Sequence, residues 1–314
     1  MKKYFRFFFS ALLSFLPLSS KAEIKALSYM DYYNQGIEFY EAGKYNLALE
    51  AYNKAIELET NNANLHFEKG LTLNELEQPK LAIESFDKAI KLNPAISEFY
   101  YLKATTLMTL KNNDLALENY NKAIKLNPNN SEVYLGKGLT LLNLNQYDLA
   151  LEACNNAMHL GFNDSYVYYQ RSLTLRKLEK NNLALKDCNK AIELEPNESE
   201  FYYGKSMVLV NLEKYGLALE AIDKAVELNN NNPELFCFKG IILSILKQYN
   251  LALENFNKAI ELEPNNASFY CDKGVSLAYL GKYDEALEAI NKALKLNPNY
   301  ANAQEMKQKL LKNK

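Results

Sequence analysis

The chain has 314 residues and a formal net charge of −2, and 24% of its residues are charged. This balance lacks the excess of lysine and arginine that binding to a phosphate backbone requires, which argues against a nucleic-acid-binding protein. The length is typical of about two globular domains. An internal repeat overrides that expectation, because a repeat array is built from stacked units rather than around one core of limited size.

Residues 1–22 are predicted to be a secretory signal peptide. Basic residues open the segment, an apolar run follows from Phe7 to Leu18, and a small-x-small sequence ends at Ala22. The run is shorter than the roughly 20 residues of a spanning helix, so we expect an exported protein, periplasmic or secreted, cleaved near Ala22. An N-terminal membrane anchor that is not cleaved is the alternative. Cleavage takes the formal net charge from −2 to −6, because four basic residues and no acidic residue are lost.

A short linker, residues 23–28, leads into eight units of 34 residues that align without insertion or deletion. Alanine occupies the twentieth and twenty-seventh positions of every unit, as Ala48 and Ala55 do in the first. A fixed period of this size predicts a solenoid in which each unit stacks on its neighbours. The units span residues 29–62, 63–96, 97–130, 131–164, 165–198, 199–232, 233–266 and 267–300.

Apolar residues within a unit have helical spacing, which predicts two helices joined by a turn. In the second unit Gly70 and Leu73 lie on one helix face, and Ala82, Phe86 and Ala89 lie on another. The eighth position is small in every unit, which lets the two helices approach closely. Four units open with a serine, which we interpret as the N-cap of a helix rather than as part of a glycosylation sequon. These serines are Ser97, Ser131, Ser165 and Ser199.

Residues 301–314 are predicted to form a C-terminal cap helix. Ala303, Met306 and Leu310 share one face of this segment, and lysines occupy much of the rest. The last unit of a solenoid needs such an end piece, because its stacking surface would otherwise be exposed to water.

The unit resembles the tetratricopeptide repeat (TPR). The resemblance rests on an aromatic fourth residue, a small eighth residue, the two alanines and a proline at the thirty-second position, and residues 257–266 look like the family consensus. It covers residues 29–300, although the chain has no tryptophan and tyrosine takes most of the fourth positions. It implies an all-α, right-handed superhelical solenoid whose first helices line a concave groove. With its predicted leader, the chain resembles exported bacterial members of the family.

We find no constellation that predicts catalysis, a metal site or a cofactor. His66 occupies a fourth position, where other units have Tyr or Phe, so we expect it in the core. The four cysteines fall in pairs at equivalent positions of neighbouring units, about 8–10 Å apart, which is too far for a disulfide. We therefore expect buried free thiols and a protein that is not an enzyme.

The predicted groove is rich in tyrosine and aliphatic residues at the positions that line it in the family. The fifth unit differs from the others, because Arg176 and Lys177 form the only basic pair at the twelfth and thirteenth positions. Such a local departure indicates function or drift, and the sequence leaves both open. The predicted partner-binding residues are Tyr101, Tyr169, Gln170, Arg176, Lys177 and Tyr203.

The resemblance implies a non-catalytic scaffold that binds a peptide or helix of a partner protein in the concave groove. Two alternatives stay open: a structural or assembly component of an envelope or secretion apparatus, and an accessory regulator of an enzyme. We expect no nucleic acid and no small-molecule substrate, and membrane contact only through an uncleaved leader.

Overall fold

The computed structural model describes residues 27–312, so the predicted signal peptide lies outside the described residues. Those residues form seventeen α-helices and no strand. The helices in chain order are α1 Tyr29–Glu41, α2 Tyr45–Leu58, α3 Ala63–Glu75, α4 Pro79–Leu92, α5 Ser97–Thr109, α6 Asn113–Leu126, α7 Ser131–Asn143, α8 Tyr147–His159, α9 Ser165–Lys177, α10 Asn181–Leu194, α11 Ser199–Asn211, α12 Tyr215–Leu228, α13 Pro233–Ile245, α14 Tyr249–Leu262, α15 Ala267–Tyr279, α16 Tyr283–Leu296 and α17 Ala301–Lys312.

The helices form a superhelical solenoid of helical hairpins. Each odd-numbered helix from α1 to α15 begins at the first residue of one unit, and the following even-numbered helix packs back on it. The odd-numbered helices also contact each other from one unit to the next, as α9 contacts α7 and α11. Closer approach of these first helices places them on the inner, concave side of the array. No helix within residues 27–312 is long and apolar enough to cross a membrane.

In the hairpins of the second and seventh units, a glycine of the first helix packs against a phenylalanine ring of the second helix. A Cβ atom added to Gly70 would lie 2.6 Å from a ring carbon of Phe86, and one added to Gly240 would lie 2.7 Å from Phe256. Both rings are essentially inaccessible to solvent. The small eighth position therefore makes room for the residue at the twenty-fourth position.

The turn inside each hairpin requires one residue in the left-handed region of backbone space. Gly43 and Gly281 provide it in the first and last units with φ of 70° and 75°. The six middle units use other residues at the same position, with φ between 57° and 60°. A side chain there costs free energy that glycine avoids. The six residues are Glu77, Lys111, Asn145, Glu179, Glu213 and Lys247.

The serine capping interpretation is wrong, because each helix begins at the serine itself and the cap is the residue before it. Asn130 and Asp164 accept hydrogen bonds from backbone N–H groups in the first turns of α7 and α9. Asparagine and aspartate do this well because their short side chains reach the free N–H groups. The Ser97 hydroxyl instead donates to the carbonyl of Ala123, 2.9 Å away, and so links the two helices of its unit.

The junction between the fourth and fifth units differs from the others. Helix α8 has 13 residues, whereas every other even-numbered helix has 14. The chain leaves α8 through Gly161 at φ 89°, and Asp164 then caps α9. This junction leads into the unit that carries the unusual basic pair.

Helix α17 caps the array as predicted. Ala303 is fully buried, Leu310 is 3% exposed, and Met306 is partly buried against the same cluster. That cluster includes Ile290 of α16. The cap therefore removes from water the surface on which a further unit would stack.

Candidate functional site

A cavity of about 380 Å³ opens on the concave side at the fourth, fifth and sixth units. Three first helices supply its walls: α7, α9 and α11. The lining residues come from the fifth, ninth, twelfth and thirteenth positions and from one turn, so neighbouring units contribute equivalent positions. They are Leu142, Asn143, Asn145, Tyr169, Leu173, Arg176, Lys177 and Met207.

Tyr169 forms one wall of this cavity, and the next unit holds its ring in place. A Cβ atom added to Gly204 would lie 2.7 Å from a Tyr169 ring carbon, so the ring lies directly over that backbone. The ring of Phe201 packs against it with centroids 5.2 Å apart. Burial raises the pKa of the Tyr169 hydroxyl, so it stays protonated and can donate a hydrogen bond.

Arg176 and Lys177 line the cavity at the end of α9. The Arg176 side chain is half-buried, and its Nε–H is inaccessible to water with no hydrogen-bond acceptor among the described residues. Lys177 is exposed beside it. A buried N–H without an acceptor costs about 1–3 kcal/mol. An incoming carboxylate could remove part of that cost, because guanidinium groups bind carboxylates through paired N–H donors.

Tyr203 and Tyr101 do not line the cavity. The Tyr203 ring packs edge-on against Phe238, with centroids 5.2 Å apart, in the next part of the groove. Tyr101 lies two units before Tyr169 and packs against Tyr120, with centroids 6.2 Å apart. The three tyrosines form an interrupted row along the groove rather than one cluster.

Gln170, a predicted partner-binding residue, is not among the residues that line the cavity. Its side chain is buried, and its Oε1 has no hydrogen-bond partner among the described residues. Lys177 lies seven residues later on nearly the same side of α9 and lines the cavity, so the position of Gln170 on the helix does not explain this difference.

The groove is acidic before it reaches the basic pair. Burial raises the pKa of Glu98 and Glu132, and repulsion from Glu132 raises that of Glu98 further. Burial also raises the pKa of Asp164 at the next junction. Tyr101 hydrogen-bonds to Glu132, which counters the effect of burial on this carboxylate. The charge along the groove thus changes from negative at the third and fourth units to positive at Arg176 and Lys177.

An ion pair between Arg171 and Asp187, which we did not predict from the sequence, lies on the opposite side of α9. The Arg171 guanidinium donates to both carboxylate oxygens of Asp187, at 2.7 and 2.8 Å, and to the side-chain oxygen of Asn155 at 3.2 Å. Asp187 is 4% exposed. The sequence does carry a signal for this pair. The fifth unit has Arg instead of Lys at the seventh position and an Asp at the twenty-third position, which no other unit has.

No metal-binding cluster of His, Cys, Asp or Glu occurs within residues 27–312. The four cysteines, all in that range, are buried free thiols as predicted. Burial raises the pKa of Cys154 to about 12 and that of Cys188 to about 11, which keeps both thiols unreactive at neutral pH. His66 is buried in the core as predicted, with its Nε2 3.3 Å from the carbonyl of Thr60.

Family models settle what the repeat is. Models described as tetratricopeptide repeat or TPR repeat together match well over half of the chain. The chain belongs to the tetratricopeptide repeat family. Arrays of TPR units generally serve as non-enzymatic scaffolds for protein–protein interaction. The matched residues are 36–77, 63–96, 97–130, 119–152, 165–198, 199–232, 233–266 and 267–300.

Solved structures resemble the TPR solenoid in fold. A tetratricopeptide repeat protein from Parabacteroides merdae has 17% sequence identity and a TM-score of 0.67, covering 79% of this chain and 98% of that one. The APC/C hetero-tetramer Cut9–Hcn1 has 15% identity and a TM-score of 0.68; the match covers 85% of this chain but 52% of that one. The pilF protein of Pseudomonas aeruginosa has 17% identity, a TM-score of 0.58, and coverage of 68% and 97%. No curated protein matched the chain.

Proposed function

We propose that this TPR array is an exported scaffold that binds a peptide or helix of a partner protein in its concave groove, centred on the fourth to sixth units. The observation that carries the proposal is the cavity at α7, α9 and α11, where the buried Nε–H of Arg176 has no acceptor among residues 27–312 and lies beside the fixed ring of Tyr169. The leader sequence supports the export.

The proposed ligand is an amphipathic segment with an apolar side chain next to an Asp or Glu. The apolar side chain would enter the cavity against Leu173 and Met207. Full burial of a leucine-sized side chain is worth about 1.5–3 kcal/mol. The carboxylate would accept hydrogen bonds from Arg176 and attract Lys177. Tyrosines along the groove add contact area at low entropic cost.

A double variant, Arg176→Glu with Lys177→Glu, tests this proposal in the mature chain. We expect partner capture by affinity purification to fall, and the measured Kd to rise roughly tenfold or more, because four units of charge change at the contact. The midpoint of thermal unfolding should change little.

The matched control carries Lys91→Glu and Lys125→Glu, two exposed lysines near the ends of outer helices. It has the same change in net charge and should bind like the wild type. If the double groove variant keeps full affinity while substitutions on even-numbered helices abolish it, the partner binds the convex face. The assembly role would then replace groove binding.

A further inference from the structure

A second, larger cleft opens on the outer side of the array, between α8 and α10. Its volume is about 940 Å³. The fifth unit contributes most of its polar lining, whereas Leu151 and Leu183 are among the apolar residues that bound it. This cleft shares α9 with the concave cavity but lies on the opposite side of that helix.

Arg171 lines the cleft with a guanidinium group that is already fixed in position. Asp187 and Asn155 occupy three of its N–H donors, and the ring of Tyr168 lies 5.8 Å from its central carbon. A guanidinium has five N–H donors, so two have no partner within residues 27–312. Its side chain remains 23% exposed. A fixed, partly exposed guanidinium loses little entropy when it binds an anion.

Three lysines line the cleft beside this guanidinium, and one of them replaces an acid of the repeat pattern. Lys186 occupies the twenty-second position, and the other seven units have glutamate there. Lys180 and Lys186 are exposed and form no ion pair within the described part of the chain, whereas the Nζ of Lys190 lies 2.7 Å from a carboxylate oxygen of Glu193. The seven glutamates are Glu50, Glu84, Glu118, Glu152, Glu220, Glu254 and Glu288.

We propose that the cleft between α8 and α10 binds an acidic, leucine-containing segment of a partner protein. The positive charge of Lys180 and Lys186 complements acidic side chains, and the leucine rims of the cleft favour apolar neighbours. We favour a protein ligand over a nucleic acid. Binding to a phosphate backbone needs many basic side chains, whereas this cleft has only a few and the chain has a net charge of −2. This inference does not depend on binding in the concave groove.

Fluorescence anisotropy with labelled peptides tests the proposal on the mature chain. The probe consists of four Glu-Glu-Leu repeats, and the matched control peptide has Gln-Gln-Leu repeats. We expect the acidic peptide to bind more tightly, and Lys186→Glu to weaken it roughly fivefold or more. This variant restores the residue that seven other units carry, so we expect it to fold. Lys125→Glu, an equal change of charge elsewhere, should leave binding unchanged.

Further measurements distinguish peptide binding in this cleft from binding in the concave groove and from nucleic-acid binding. The variant with Arg176→Glu and Lys177→Glu should bind the acidic peptide as tightly as the wild type does, even if groove binding is lost. Equal affinity of wild type and Lys186→Glu would overturn the proposal. So would equal affinity for the two peptides, loss of binding in the groove variant, or tighter binding of an oligothymidylate of similar length.

Discussion

At the scale of single residues, carboxylates with raised pKa values in the groove make stability depend on pH. Burial and then repulsion from Glu132 raise the pKa of Glu98 in the folded protein. The folded state therefore holds this proton more tightly than the unfolded state does, and stability falls as pH rises from the unfolded pKa through the folded one. We expect Glu98→Gln to raise the free energy of unfolding at pH 7 and to have little effect near pH 4.

A glutamate whose pKa is shifted in the opposite direction serves as the control for that prediction. A hydrogen bond from Lys122 lowers the pKa of Glu118, so its contribution to stability is present above the unfolded pKa and is lost at lower pH. Glu118→Gln should lower stability slightly at pH 7, the opposite sign. Urea unfolding at both pH values measures both variants. A destabilised Glu98→Gln protein at pH 7 would show that this carboxylate makes a favourable contact that outweighs its partial loss of hydration.

At the scale of helices and turns, glycine should stabilise the turn of a middle unit, where another residue now adopts the left-handed conformation. Glu213 has φ of 57° and is exposed. The left-handed conformation costs a side chain about 1–2 kcal/mol, and the entropic cost of glycine is about 0.5–1 kcal/mol. We therefore expect Glu213→Gly to stabilise the protein by roughly 0.5–1 kcal/mol in urea unfolding. The reverse change, Gly281→Glu at φ 75°, should destabilise it.

The repeat pattern predicts the helices well and individual side-chain roles less well. Periodicity and the invariant alanines were sufficient for the hairpins and for the cap at Ala303 and Leu310. The serine caps were wrong by one residue, because propensity favours serine and asparagine alike at a helix start. Position in the repeat alone does not reveal that the Gln170 side chain is buried. The pair of Arg171 and Asp187 joins residues on two helices, which spacing within one helix cannot reveal.

At the scale of the whole molecule, stability should be distributed along the array. Deletion of residues 301–314 removes Ala303 and Leu310 from the cluster around Ile290. We expect α15 and α16 to lose protection from hydrogen exchange and the truncated protein to aggregate, whereas α3 to α10 keep their protection. Equal loss in every unit would show that the array unfolds as one cooperative block.

Hydrogen exchange on the mature chain, with and without a captured partner, tests groove binding most directly. Residues of α7 and α11 line only the concave cavity, whereas those of α8 and α10 line only the outer cleft. We expect a partner to slow exchange in α7 and α11, and we expect Arg176→Glu with Lys177→Glu to remove this protection. Protection confined to even-numbered helices, with α7 and α11 unchanged, would contradict it.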